Sequence, residues 1–117
     1  MRFLKSLKYA SRGLRFVFSS EKNFKIQIVM AVLVLFFSFY FQINSNQLVV
    51  LILLIALVLV MEIINTAFEY LTDLLKPRLH SYVYTIKDLM SGAVLLISAT
   101  SAIIGLIIFY PYIIKMF

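Results

Sequence analysis

Residues 48–73 read LVVLILLIALVLVMEIINTAFEYLTD and decide the fold class of the chain. The segment opens as an unbroken apolar run and continues with three acids and an amide at helical spacing: Glu62, Asn65, Glu69 and Asp73. Residues three or four apart share one face of an α-helix, so these side chains form a single stripe. An ionised group inside a bilayer is costly, and the stripe is therefore a candidate functional site.

The composition of the whole chain is that of a membrane protein. Of its 117 residues, 63% are hydrophobic and 14% are charged, which leaves too little polar surface for a soluble globule. At ~1.5 Å per residue, about 20 residues cross the ~30 Å hydrocarbon layer. We expect an all-α membrane protein with one membrane-embedded domain, residues 1–117, and three transmembrane helices at 26–43, 48–70 and 89–114.

Basic residues predict the orientation of these spans. Seven of the 11 Lys and Arg residues precede the first span and three lie in the 71–88 connection, whereas residues 42–47 contain none. The positive-inside rule places the amino terminus and the 71–88 connection in the cytoplasm. The first apolar segment starts only after Lys25 and no small-residue cleavage pattern follows it, so we expect a complete chain without a signal peptide.

Residues 1–22 have the pattern of an amphipathic interfacial helix. Apolar residues recur at spacings of three and four, and basic residues lie on another face: Lys5, Lys8, Arg12 and Arg15. Such a helix binds anionic lipid surfaces without any chemistry, and this is the simpler interpretation. A second interpretation is that its cations close over a phosphate-bearing substrate, with Arg2, Tyr9 and Arg15 as candidate contacts. No nucleic-acid partner is expected.

The residue types restrict the kind of metal site. The chain has no Cys and one His, so any metal must be held by oxygen ligands, which favours Mg²⁺-like ions. Glu62 and Glu69 lie one heptad apart and repel each other unless a cation or a proton lies between them. A divalent metal or a proton relay is implied, and the simpler alternative is a polar cluster that only holds helices together.

Other polar and small residues have structural interpretations when taken alone. Glu21 is then a solvated charge at a helix end, and the pair Lys87-Asp88 begins the third span with Lys87 snorkelling to head groups. Small residues within 91–105 predict close packing of the third helix against its neighbours, among them Ser98, Ser101 and Gly105. Pro111 is predicted to mark a helix end.

Taken together, these motifs resemble those of the prokaryotic diacylglycerol kinase and undecaprenol kinase family. The resemblance is carried by Glu62-(x)2-Asn65-(x)3-Glu69-(x)3-Asp73, by Lys87-Asp88 leading into Ser91-Gly92-Ala93, and upstream by Gly13-Leu14-Arg15 and Glu21-(x)2-Phe24. It covers nearly the whole chain. The phosphate-binding loop and the catalytic motifs of soluble kinases are absent, as expected for these small integral membrane enzymes.

The resemblance implies transfer of the γ-phosphoryl group of ATP to a lipid hydroxyl by a homotrimer in a bacterial cell membrane, with sites on the cytoplasmic side built from neighbouring subunits. Glu62 matches the family's general base and Asn65 the residue that orients the site. Glu21 and Glu69 match the carboxylates that hold Mg²⁺ on ATP.

The nucleotide-binding set implied by the resemblance comprises Glu21, Glu69, Asp73, Lys87 and Asp88. The residues Phe24-Lys25-Ile26-Gln27 and the first span look like the Gram-positive branch of the family, which favours undecaprenol as the lipid; diacylglycerol is the alternative. Two interpretations from other classes stay open at this point. One is a small proton-coupled cation transporter in which Glu62 binds substrate and proton alternately. The other is a membrane scaffold without activity.

Overall fold

The computed structural model describes residues 1–117 as four α-helices and no strand. These are α1 (Arg2–Ser20), α2 (Lys22–Tyr40), α3 (Ser45–Leu75) and α4 (His80–Met116). The last three are long and apolar enough to cross a membrane. The predicted all-α membrane fold is confirmed.

The first helix stands apart from the membrane helices. Glu21 adopts an extended conformation, with φ −109° and ψ 113°, and separates α1 from α2. Along α1 only Val17 is buried, and every other side chain is exposed. The ring of Phe16 meets Tyr70 of α3 edge to face, with centroids 5.3 Å apart. These contacts hold the end of α1 against α3 and place Glu21 beside the acidic stripe.

The two longest helices, α3 and α4, form an antiparallel hairpin. At one end Lys87 Nζ donates to Asp73 Oδ1 over 3.2 Å, and at the other the Tyr112 hydroxyl donates to Gln47 Oε1 over 2.8 Å. Gln47 and Asp73 are separated by about 39 Å of helix at ~1.5 Å per residue. The two contacts therefore fix the register of α4 against α3 over nearly the full length of the pair.

Both helices extend beyond the apolar segments that define the predicted spans. The link between α3 and α4 is only residues 76–79, so Asp73, Lys87 and Asp88 lie on helices rather than in a long connection. An α-helix satisfies its own backbone and continues past the hydrocarbon layer without penalty. The prediction that Pro111 marks a helix end is wrong, because α4 continues to Met116. Pro111 has no N–H, so the helix continues without the hydrogen bond to the oxygen of Ile107.

A tight turn joins α2 to α3. Gln42 has a φ of 53°, its N–H donates to Phe39 O over 3.2 Å, and the N–H of Ile43 donates to Ser38 O over 3.1 Å. This is the Schellman pattern that closes helix carboxyl termini, here with Gln42 in place of the usual glycine. Asn44 then caps α3, since its Oδ1 accepts from the N–H of Gln47 over 2.9 Å.

The interior of the single chain is small. Only 10 of 117 residues are buried, so most apolar side chains lie on the surface of the single chain rather than in a core. A Cβ atom added at Gly92 or Gly105 would meet no atom within 4 Å. The predicted close packing at these two glycines is therefore not made within one chain, and the space beside them is open.

Candidate active site

Glu62 is the most unusual side chain of the molecule. It is 2% exposed, and its Oε2 atom is shielded and has no hydrogen-bond partner. Thr66, one turn along, directs its hydroxyl to the backbone oxygen of Glu62 over 2.9 Å and leaves the carboxylate alone. Buried polar atoms in native proteins are normally paired, so an unpaired one needs a ligand or a proton to explain it. The Glu62 carboxylate is thus free to accept a hydrogen bond or a proton.

Glu69 lies one heptad further along α3 and is held by its neighbours. The Asn65 Nδ2 group donates to Glu69 Oε1 over 3.2 Å, a contact between residues four apart on one helix face. The two side chains line a small crevice between α3 and α4 that Lys87 also lines. The acidic stripe predicted from spacing therefore meets α4 at Lys87, and Asn65 sets the direction of the Glu69 carboxylate.

Glu21 brings a carboxylate to the stripe from outside α3. Partial burial and then the negative charge of Glu69 raise the pKa of Glu21 above its ordinary value. Both Glu21 and Glu69 also repel the charge of Glu62. Three acids from two parts of the chain thus share one electrostatic environment, and a cation bound among them would relieve the repulsion.

The arrangement fits Mg²⁺ bound together with a nucleotide. No group of three or more acidic or histidine side chains is close enough to hold a metal ion by itself. Glu21 and Glu69 provide two carboxylates, and Mg²⁺ is usually bound by one or two carboxylates with phosphate oxygens and waters completing its shell. The donors present suit an ion that arrives with a triphosphate.

Lys87 and Asp73 form the one ion pair of the structure. Their side chains are 32% and 64% exposed, so the pair contributes little to stability and its members are accessible to a ligand. Asp88 is exposed and makes no hydrogen bond or ion pair. The structure therefore gathers Glu21, Glu62, Asn65, Glu69 and the Asp73–Lys87 pair into one region, while Asp88 stays at its edge.

The predicted residues on α1 form no ion pair with the acids of this region within one chain. Arg2, Tyr9 and Arg15 are exposed, and none of them forms an ion pair with the acids. Arg2 lies about 28 Å along the axis of α1 from Glu21 at ~1.5 Å per residue. Tyr9 instead stacks under the guanidinium of Arg12, 5.7 Å from the ring centroid. Their roles as phosphate or substrate contacts stay predictions.

Comparison with known proteins identifies the family. A sequence profile described as Prokaryotic diacylglycerol kinase matches residues 8–109. The chain belongs to the prokaryotic diacylglycerol kinase family. The resemblance seen in the motifs is confirmed, and membership of a kinase family implies ATP as phosphoryl donor and a lipid substrate in the membrane.

Two curated relatives from this family carry different names. The chain is 34% identical over 110 residues to the undecaprenol kinase of Bacillus subtilis (strain 168), covering 94% of the chain and 89% of that protein. It is 30% identical over 103 residues to the diacylglycerol kinase of Synechocystis sp. (strain ATCC 27184 / PCC 6803 / Kazusa), covering 87% of the chain and 59% of that protein. Both relatives are thus similar to this chain over most of its length. One is named for undecaprenol and the other for diacylglycerol.

Proposed function

We propose that the chain is a Mg²⁺-dependent undecaprenol kinase, which transfers the γ-phosphoryl group of ATP to the hydroxyl of undecaprenol and forms undecaprenyl phosphate. Family membership supports a lipid kinase, and the relative with 34% identity is an undecaprenol kinase. The observation that carries the proposal is the buried Glu62 carboxylate with its free Oε2 atom, one heptad from the Asn65–Glu69 pair.

The acids occupy two levels along α3. Glu62 and Glu69 are about 10 Å apart along the helix axis at ~1.5 Å per residue. Glu62 is enclosed by helices that are apolar enough to span the bilayer, whereas Asp73 is exposed and Lys87 partly exposed near the link between α3 and α4. A lipid hydroxyl reaches Glu62 from within the membrane, and a nucleotide reaches Glu69 and Lys87 from water.

Phosphoryl transfer needs positioning, charge neutralisation and an acceptor for one proton. The lipid hydroxyl oxygen forms a bond to the γ-phosphorus, its proton passes to Glu62 Oε2, and the bond to the β–γ bridging oxygen breaks to release ADP. Lys87 neutralises phosphate charge, and Asn65 holds the Glu69 carboxylate in place.

Glu21 and Glu69 are the residues that would hold Mg²⁺. The bound ion supplies neutralisation of the triphosphate charge. Asp73, the present partner of Lys87, lies at the nucleotide level, and Asp88 follows Lys87 on α4. Glu21 and Glu69 thus help to bind ATP, the phosphoryl donor. The deeper Glu62 accepts the proton of the lipid hydroxyl.

We further propose that the site faces the cytoplasm of a bacterial cell and that the active form is a homotrimer. The orientation rests on the basic residues of α1 and of the segment around the α3–α4 link. The positive-inside rule places both groups in the cytoplasm. A trimer would bring the α1 of a neighbouring subunit to the acids, which gives Arg2, Tyr9 and Arg15 a place in the site that a single chain does not provide.

Diacylglycerol is the second candidate acceptor, because the Synechocystis relative is a diacylglycerol kinase. The transporter interpretation finds no support in a family of kinases. It also requires acids accessible from both sides of the membrane. All five acids of this chain lie instead in the halves of α3 and α4 nearest the link between them, or at the α1–α2 junction.

The test is a transfer assay on purified protein in detergent micelles with γ-labelled ATP, Mg²⁺ and separate samples of undecaprenol, diacylglycerol and ceramide. We expect the highest kcat/KM with undecaprenol and loss of transfer when the divalent metal is chelated. Absence of label in every lipid would overturn the kinase proposal. A higher kcat/KM with diacylglycerol would overturn the choice of acceptor alone.

A further inference from the structure

A cavity of about 300 Å³ lies among α2, α3 and α4. Its lining residues on α3 precede Glu62, so the cavity is farther than Glu62 from the link between α3 and α4. Ten of its 14 lining residues are hydrophobic, which is the composition of a site for an apolar ligand. Three of the others are polar, namely Gln27, Ser98 and Ser101. Val58, which also lines the cavity, is one helical turn from Glu62, so the cavity continues the candidate active site into the membrane.

The register of the hairpin sets the depth of the two serines. Ser98 lies 11 residues beyond Lys87, and Glu62 lies 11 residues before Asp73, the partner of Lys87. Ser98 is therefore level with Glu62. Counting from the Tyr112–Gln47 contact gives the same level within one residue. Ser101 is three residues further along α4 and lies almost one turn deeper, opposite Val58.

The hydroxyls of these serines are unpaired. The Oγ atoms of Ser98 and Ser101 are shielded and have no hydrogen-bond partner. The buried hydroxyls of the membrane helices behave differently: Ser38 donates to Val34 O over 2.7 Å, and Thr66 donates to the oxygen four residues before it over 2.9 Å. A shielded hydroxyl without a partner is unfavourable, and rotation about one bond presents it to a ligand oxygen.

We propose that the cavity receives the hydrocarbon chain of the acceptor lipid next to its hydroxyl, that Ser98 positions this hydroxyl, and that Ser101 contacts the further oxygen atoms of an acceptor that carries them. The inference rests on the proposed lipid kinase activity and adds two positioning residues on α4. A lipid hydrocarbon chain in the cavity ends at the level that Ser98 shares with Glu62. The lipid hydroxyl then lies next to both the hydroxyl of Ser98 and the unpaired Oε2 of Glu62.

The two serines serve different lipids. Ser98, at the level of Glu62, bonds the terminal hydroxyl that every acceptor alcohol carries. Ser101 lies deeper, where a polyprenol has only hydrocarbon but a diacylglycerol has ester carbonyl oxygens within reach. Ser98 therefore supports binding of either acceptor, whereas Ser101 distinguishes acceptors that carry oxygen beyond the hydroxyl.

The first test fills the cavity. Gly105 lines the cavity and a Cβ there meets nothing within 4 Å, so Gly105→Leu starts from open space and directs its added bulk at the cavity. We expect the KM for undecaprenol to rise at least about tenfold, with the KM for ATP unchanged. Ala99→Leu, at an exposed position of the same helix that does not line the cavity, is the matched control and should leave both constants unchanged.

The second test removes single hydroxyls. Loss of one hydrogen bond weakens binding by about 3- to 10-fold. Ser98→Ala should raise the KM for both lipids by this factor, and Ser101→Ala should raise it for diacylglycerol alone. Thr100→Val removes a hydroxyl from the exposed side of α4 and should change neither. Equal KM values for Ser98→Ala and wild type would contradict the positioning role.

A binding readout separates this inference from the proposed activity. Undecaprenol should raise the unfolding temperature of the wild-type protein but not that of Gly105→Leu, and light scattering should give both the same assembly mass. An unchanged lipid KM in Gly105→Leu overturns the cavity assignment and leaves the kinase intact. A changed assembly mass means that a second copy of the chain fills the cavity, which also overturns it. If wild type phosphorylates no lipid, the proposed activity itself fails.

Discussion

The two ends of the α3–α4 hairpin use polar side chains in opposite ways. At the end nearest the α2–α3 turn, Gln47 pairs with Tyr112, and Phe41 packs on the rings of Phe109 and Tyr112 with centroids 6.1 and 6.0 Å apart. We call this the aromatic end. The Gln47 and Tyr112 side chains satisfy each other within the chain, and the three rings are half-buried against one another.

The other end, which we call the carboxylate end, spans Glu62 to Asp73 on α3 together with Lys87 and Glu21. Glu62 Oε2 is unpaired, and Glu21 and Glu69 repel each other. Stability favours satisfied groups, so an end that keeps acids in mutual repulsion is maintained for binding something else. The aromatic end therefore fixes the register of α4 against α3. The carboxylate end depends on that register, which brings Lys87 to the acids of α3.

The largest effect is expected for Glu62→Gln. The amide keeps the volume but cannot take the lipid proton, and a general base contributes about 10²- to 10⁴-fold to rate. We expect kcat for undecaprenol to fall by at least 10²-fold. The free energy of unfolding should stay the same or rise, because a buried charge is removed. A variant with a near-wild-type rate would mean that Glu62 is not the base.

Glu69→Gln should act mainly through the metal. The Gln oxygen can still accept from Asn65 Nδ2, so the hydrogen bond survives and only the charge is lost. We expect the Mg²⁺ concentration for half-maximal activity to rise about 10- to 100-fold, in line with the loss of groups that support metal binding. Asp73→Asn should shift it less. An identical Mg²⁺ titration in Glu69→Gln and wild type would remove Glu69 from the metal site.

At the aromatic end a lost hydrogen bond should cost stability without cost to activity. Tyr112→Phe removes the donor to Gln47 and should lower the free energy of unfolding by about 0.5–1 kcal/mol. Tyr110→Phe is the control, because Tyr110 is 64% exposed and makes no hydrogen bond. Denaturant unfolding of the two variants checks this, and a kcat loss specific to Tyr112→Phe would break the division between the two ends.

The smallest expected effect is a gain in stability. Gln42 holds a φ of 53°, a conformation that glycine adopts without steric cost. Gln42→Gly should therefore raise the free energy of unfolding by up to about 1 kcal/mol, with unchanged kcat. Since the turn precedes the aromatic end, a change in lipid KM would show that the turn is coupled to the site. Unfolding curves and steady-state kinetics on one preparation decide it.

Sequence alone predicts what is local to one helix. The three apolar runs and the stripe from Glu62 to Asp73 follow from periodicity, which depends only on residues a few positions apart. For the same reason the contact between Asn65 and Glu69 is foreseeable. The motif pattern also gave the family, because its residues are spread over nearly the whole chain.

The rest depends on contacts between helices that periodicity does not encode. The level of Ser98 beside Glu62 follows from the register of α4 on α3, and spacing within α4 showed only small residues suited to packing. Lys87 reaches Asp73 because the link between α3 and α4 is only residues 76–79. The charge pattern of the sequence predicts a longer connection, residues 71–88. Arg2 and Tyr9 make no contact with the acids within one chain, so their predicted roles rest on the proposed trimer.

The central claim is that acceptor and nucleotide bind at separate levels of the hairpin, with Glu62 at the acceptor level. Equilibrium binding of Mg-ATP to purified Glu62→Gln, measured beside wild type and Lys87→Ala, tests it most directly. Glu62→Gln should bind Mg-ATP with the wild-type Kd despite its greatly reduced kcat, and Lys87→Ala should bind it about tenfold more weakly. Equal weakening in both variants would contradict the separation of the two levels.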